Sequence, residues 1–199
     1  MTPATDTNAA GLAVVATGPS GVGKSTILSE VRKRMECEFS ISATTRQPRG
    51  GETDGVDYYF LSKQEFMEKV ESGDMLEWAQ VYGEYYGTPA GPVRQARARG
   101  KTIVMDVDVQ GAEQIHESLP DALLLLIVPP DEDELEKRLR GRKTESEDKL
   151  QQRLSRARSE LARARESGIF DAEIVNDRLE QAVLDTMEII RHRSQQTDD

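Results

Sequence analysis

Gly18, Gly23, Lys24 and Ser25 fit the spacing G-x-x-x-x-G-K-[ST] within Gly18-Pro19-Ser20-Gly21-Val22-Gly23-Lys24-Ser25-Thr26. Glycines so spaced let the backbone turn tightly and aim its N–H groups at an anion. A helix starting at the end of such a loop adds partial positive charge where phosphates sit. Lys24 can reach the outer phosphates, and the Ser25 hydroxyl suits Mg²⁺. The flanks supply the required context. Leu12 to Thr17 is an apolar, strand-like run, and Ile27, Leu28, Val31 and Met35 mark one face of a following helix. Strand, glycine loop and helix together predict a nucleotide-phosphate site. The loop alone leaves ATPase, GTPase and kinase open.

A second group lies in the breaker-rich segment Arg46 to Gly55. Arg46 and Arg49 stand three residues apart, with Tyr58 beyond. A guanidinium fork holds phosphate oxygens in pairs, and a tyrosine adds a neutral donor. Taken alone, such a segment is a solvated surface loop. His116 and His192 are the only histidines and lack metal-ligand spacing, so both are expected on exposed helix faces.

The elements that must position these groups follow from periodicity. Helices are expected over Lys24 to Arg34, from the Ser62–Glu65 capping box to Gly73, Pro89 to Arg99, Val109 to Glu117, a segment opened by Asp131-Glu132-Asp133-Glu134, a long helix ending near Gly168, and Leu179 to Arg193. Strands are expected at Leu12 to Thr17, Phe39 to Thr44, Val56 to Phe60, Leu76 to Tyr82, Thr102 to Val107, Leu123 to Val128 and Ala172 to Val175. Several are near-continuous apolar runs, as strands buried on both faces require. The predicted fold is α/β: a P-loop NTPase-type parallel sheet covered by helices on both faces, with an inserted β-rich lobe and a small lid. The stripe Leu150, Leu154, Ala157, Leu161, Ala164 reads as a packing face, and Arg156, Arg158, Arg163 and Arg165 as a solvated face with partners one turn away.

The 199 residues are 37% hydrophobic with a formal net charge of −10, which argues against general affinity for nucleic acid or anionic membrane. No apolar run approaches the roughly 18 residues of a membrane span, and Met1 to Ala10 lacks a signal-peptide pattern. The single Cys37 suits a reducing compartment, so a cytoplasmic location is expected. Nothing in the pattern selects between monomer and homo-oligomer.

Further stretches carry a resemblance. Ser40-Ile-Ser-Ala-Thr-Thr-Arg46, Pro48-Arg49, Gly51-Glu52, Val56-Asp-Tyr58, Glu77-Trp-Ala79, Tyr85-Tyr-Gly-Thr88 and Asp106-Val-Asp-Val-Gln-Gly111 are similar to successive signatures of the guanylate kinase family. The resemblance spans about Leu12 to Arg193. It implies transfer of the γ-phosphate of ATP to GMP, with Mg²⁺. It implies a core (11–39, 89–138, 150–193), a lobe for the nucleoside monophosphate (40–88) and a lid (139–149), between flexible tails at 1–10 and 194–199. ATP is expected on Gly18 through Thr26 with Asn176 near its nucleoside. By position Arg46, Arg49, Tyr58 and Tyr86 would hold the GMP phosphate, with Glu52 in the same pocket. Ser42, Glu77, Thr88 and Asp106 would face guanine, with Asp108 nearby. Guanine's N1–H and N2–H suit a carboxylate such as Glu77, and O6 suits a hydroxyl such as Thr88. Lys24, Arg138, Arg142 and Arg153 are the expected catalytic cations. The family commonly has glycine where Lys143 stands, which affects the lid's hinge. The alternative is a non-catalytic guanylate-kinase-like interaction module. Such modules tend to carry a degraded phosphate loop, and here the loop is intact. A guanine-reading N-K-x-D motif of GTPases is absent, since neither Asn8 nor Asn176 begins one.

Overall fold

The computed structural model describes residues 11–141 and 147–197. The chain begins with β1 (Ala13–Thr17), α1 (Lys24–Arg34), β2 (Glu38–Phe39), β3 (Ala43–Thr44), β4 (Tyr59–Phe60) and α2 (Lys63–Glu71). It continues through β5 (Met75–Val81), β6 (Glu84–Pro89), α3 (Ala90–Ala98), β7 (Ile103–Asp106), α4 (Val109–Ser118) and β8 (Leu123–Val128). It ends with α5 (Glu132–Arg140), α6 (Glu147–Ser167), β9 (Ala172–Val175) and α7 (Leu179–Thr197).

Five strands form one sheet in the order β2-β7-β1-β8-β9, and every pairing in it is parallel. Alternate residues of β1 face opposite layers. Val14 and Ala16 pack with Ile27, Leu28 and Val31 of α1 and Val183, Met187 and Ile190 of α7. Ala13 and Val15 pack with Ala90, Val93 and Ala96 of α3 and Ala112 and Ile115 of α4. Both faces being covered explains why β1, β7 and β8 are apolar without alternation. Leu135 and Leu139 of α5 bury Leu150, Leu154 and Ala157 of α6, so the leucine stripe is an internal packing face.

A second sheet, β4-β3-β6-β5, forms between β2 and β7. Its β5–β6 pair is antiparallel, aligning Glu77 with Thr88. The two-residue hairpin turn uses Tyr82 at φ 51° and Gly83 at φ 86°.

Three expectations change. Phe39 to Thr44 is not one strand: β2 pairs with β7 in the large sheet, while β3 pairs with β6 in the small one. The chain crosses between sheets at Ser40 to Ser42, and partner choice rather than local alternation decides the break. Val56 and Asp57 turn instead of extending, with Gly55 at φ 72°, and the extended stretch starts at Tyr58, which bridges to Asp54. Helix α7 runs through Ser194 to Thr197, where a frayed tail was expected.

The expected lid is also mostly helix at its edges. Leu139 and Arg140 finish α5, and Glu147 to Lys149 begin α6. Arg140 spans the two ends, donating to both carboxylate oxygens of Glu147 at 2.7 and 2.8 Å. Arg142 and Lys143 lie outside the described residues, as does the expected tail 1–10.

Candidate active site

The phosphate loop leaves the carboxyl end of the central strand, where a ligand crevice forms in open parallel sheets. Gly23 caps helix α1 with no side-chain hydrogen bond, and the first turn carries no acid, so the positive end of the helix faces an anion site without a competing carboxylate. Gly23 has φ 95°, and a Cβ there would stand 2.4 Å from Asn176 Nδ2. Both conformation and space therefore exclude a side chain.

Asn176 lies under this loop rather than at its mouth. It is 6% exposed, and its amide donates to the Val22 carbonyl at 2.7 Å. The buried amide holds the loop from beneath. Arg138 donates to the same Val22 carbonyl at 3.3 Å and to Glu134 at 2.9 Å. Arg153 of α6 donates to Ser20 Oγ at 3.0 Å. Arg138 and Arg153, two of the expected catalytic cations, therefore touch the loop.

Lys24 reaches back to β7, contacting Asp106 at 2.7 Å and donating to the Val107 carbonyl at 2.6 Å. Asp106 sits beside Ala16 across the parallel pair. Asp106, expected to face guanine, here pairs with Lys24. Asp108 instead caps α4, accepting from Gly111 N at 2.8 Å. The loop, Asp108 and Tyr82 at the tip of the β5–β6 hairpin line one cleft of about 540 Å³. That volume falls within the usual range for small-ligand sites.

Glu77 lies inside the adjoining lobe. Thr88 donates its hydroxyl to Glu77 Oε1 at 2.7 Å. Burial pushes the Glu77 carboxyl up to about 7; the Thr88 hydrogen bond opposes this and the nearby Asp108 charge adds to it. With its donor given to Glu77, the Thr88 hydroxyl has lone pairs left, and it orients the carboxylate.

The Arg46 segment is preorganised. Arg46 makes two 2.9 Å hydrogen bonds to the two oxygens of Glu52 and lies 5.4 Å from the Tyr58 ring centroid and 5.8 Å from that of Phe60. Arg49 N donates to Glu52 at 2.7 Å. The Arg46 guanidinium and the Arg49 N–H hold the Glu52 carboxyl below the usual range. Tyr58 and Tyr86 meet edge to face at 6.3 Å. Glu52 thus fixes Arg46 instead of standing open for a ligand. Arg49 is exposed, and Ser42 is half-buried at the start of β3.

Some contacts carried no local signal. The Gln114 side chain of α4 accepts from Trp78 N and donates to Trp78 O, both at 3.1 Å. Arg156 pairs with Glu160 one turn on, as expected. Arg158, Arg163 and Arg165 reach instead to Glu132, Glu113 and Glu173 on other elements. His116 is half-buried with Nδ1 unpartnered, not on an exposed face. Among the described residues no group of three His, Cys, Asp or Glu gathers into a metal site, and no helix is long and apolar enough to cross a membrane.

A parallel sheet with a phosphate loop on its central strand defines an α/β P-loop fold. Residues 11–193 match the family model for guanylate kinase. A guanylate kinase of Synechococcus sp. (strain CC9311) is 49% identical over 170 residues, covering 85% of this chain and 88% of its own. That of Gloeobacter violaceus is 50% identical over 171 residues, covering 85% and 82%. The crystal structure of guanylate kinase from Anaplasma phagocytophilum superposes with a TM-score of 0.72 at 28% identity, over 94% of this chain and 87% of that one. The chain belongs to the guanylate kinase family.

Proposed function

We propose that this protein transfers the γ-phosphoryl group of ATP to GMP, giving ADP and GDP. One observation carries the reading: a buried carboxylate, Glu77, held by Thr88 beside a cleft that also contains an intact phosphate loop. ATP would lie along Gly18 to Thr26, its phosphates on the α1 N-terminus and Lys24. The exposed Ser25 hydroxyl is the side chain that would hold Mg²⁺ with the phosphates, and such an ion would neutralise phosphate charge.

GMP would occupy the inserted lobe. Its phosphate meets Arg46 and Arg49, with Tyr58 and Tyr86 alongside, and Glu52 keeps the Arg46 fork aimed. Glu77 accepts the N1–H and N2–H of guanine. Ser42 is the side chain left to donate to O6, since Thr88 serves Glu77. Adenine offers no N1–H, so it would leave a buried carboxylate unpaired; sites built on such pairings reject the unmatched analogue by about 10⁴–10⁵.

No protein nucleophile is needed. A GMP phosphate oxygen forms the new bond to the γ-phosphorus in line as the bond to the bridging oxygen breaks, and the electron pair leaves with ADP. Lys24, Arg138 and Arg153, with Arg142, spread the charge that develops. Lys24 must exchange Asp106 for phosphate to do so, which couples loop occupancy to the end of β7. Closure of lobe and core over both nucleotides excludes water.

The test is ADP release from ATP and Mg²⁺ with GMP, AMP, CMP or UMP as acceptor. Release with GMP alone is expected. Equal release with AMP, or release without an acceptor, refutes the reading.

A further inference from the structure

We infer that Gly111 and Gln114, on one face of α4, set base selectivity by fixing where the Glu77 carboxylate sits; this rests on Glu77 being the guanine ligand. Helix α4 belongs to the core, since Ala112 and Ile115 pack under β1 and β7. Its opposite side lies along β5, the outer strand of the small sheet. The planar amide of Gln114 grips both backbone groups of Trp78 at 3.1 Å. Two bonds from one rigid amide to one residue fix that residue's position and rotation relative to the helix. Glu77 is the residue before it.

Gly111 lies one turn earlier. A Cβ at Gly111 would stand 3.0 Å from Glu77 Oε2 and 3.2 Å from Glu77 Cδ. The Glu77 side chain therefore lies against the bare first turn of α4, with the Thr88 hydroxyl on its other oxygen at 2.7 Å. Space for the carboxylate exists because position 111 has no side chain. Backbone freedom is not the reason, since Gly111 is within the helix and is not among the positive-φ glycines. Alanine would be the better helix former there, so the cost of a methyl group falls on Glu77. A pair of guanine donors needs both carboxylate oxygens in one plane and at one height. A shift of a few tenths of an ångström spoils that match while leaving the phosphate loop untouched. Gly111 and Gln114 are thus positioning residues that act through Glu77.

The experiment compares wild type, Gly111→Ala, Glu77→Ala, the double variant and Gln114→Ala by kcat and KM for GMP and AMP, KM for ATP, and thermal unfolding. Gly111→Ala is expected to raise the GMP KM by roughly tenfold, short of the about 10²-fold that a full ångström of misplacement costs. It should narrow the GMP-to-AMP ratio of kcat/KM, leave the ATP KM alone and not lower the melting temperature. In the Glu77→Ala background the same exchange should leave the GMP KM within about twofold, because the group it collides with is gone. Gln114→Ala should raise the GMP KM without changing that for ATP. An equal penalty of Gly111→Ala in both backgrounds, or a wild-type GMP KM in Gly111→Ala, overturns the inference. Should Gly111→Ala fail to fold, recovery in the double variant supports the collision, and failure of both overturns it. A wild-type protein that does not turn over GMP refutes the proposed function instead.

Discussion

Replacing Glu77 by glutamine should make the unliganded protein more stable above neutral pH while impairing it toward GMP. The side chain is 9% exposed, and its carboxyl is lifted from an ordinary 4.5 to about 7 chiefly by burial. The sign follows from which state holds the proton. Between those two values the folded protein keeps Glu77 protonated while the unfolded chain has released the proton. Stability therefore falls as pH rises through this window, and above about 7 the fold carries a buried ionised carboxylate. Lifting the carboxyl by that amount corresponds to about 3 kcal/mol, at 1.36 kcal/mol per pH unit. Glutamine has no proton to lose, and its carbonyl can still accept from Thr88. Urea unfolding of both proteins at about pH 4.5 and about pH 8 isolates the contribution, since every other carboxylate cancels in the difference. The Glu77→Gln protein should gain about 3 kcal/mol on wild type between the two conditions. Parallel pH curves, or a variant less stable at the higher pH, would refute the account. The same variant offers guanine a donor where an acceptor is needed, so stability and recognition should move in opposite directions.

Glu52→Gln should raise the GMP KM roughly tenfold with little change for ATP, because a neutral amide no longer holds the Arg46 fork as an ion pair; an unchanged GMP KM argues against Glu52 as its positioner. Asn176→Ala leaves the Val22 carbonyl without its amide donor and should cost about 1–3 kcal/mol in thermal unfolding, with a higher ATP KM. An unaltered ATP KM would detach Asn176 from the loop. Arg138→Ala should lower kcat by about 10² or more with a smaller change in GMP KM, as expected of charge stabilisation in the transition state; a pure KM effect would count against it.

Much of the fold was legible because it rests on short-range rules. The strand before the phosphate loop, Leu123 to Val128 and the Ser62–Glu65 capping box all declare themselves by run length or fixed offset. The division of Phe39 to Thr44 between two sheets does not, because strand pairing is decided by distant partners such as Val104 and Gly87. Site chemistry shows the same limit. Motif spacing marked Lys24, and the family resemblance marked Arg46 and Glu77. Neither could show that Asp106 would occupy Lys24, that Asn176 would lie under the loop, or that Glu52 would hold Arg46. The arginines of α6 were placed on the correct helix, yet three of them found partners outside it, since an exposed guanidinium reaches well past its own turn. Gly111 entered only as the last residue of a family signature and Gln114 not at all: a glycine in a helical stretch looks like a tolerated flaw until the carboxylate above it is seen.

The grip of Gln114 on Trp78 has a consequence for the protein in crowded solution. Strand β5 ends its sheet, and a terminal strand with vacant N–H and carbonyl groups is a template on which another chain can add. The Gln114 amide occupies both groups of Trp78, and the Ser118 hydroxyl donates to the Leu76 carbonyl at 3.4 Å. Helix α4 thus serves as a false neighbour strand, supplying side-chain hydrogen bonds where a sticky partner would supply backbone ones. Loss of Gln114 should therefore appear as self-association at high concentration as well as in kinetics.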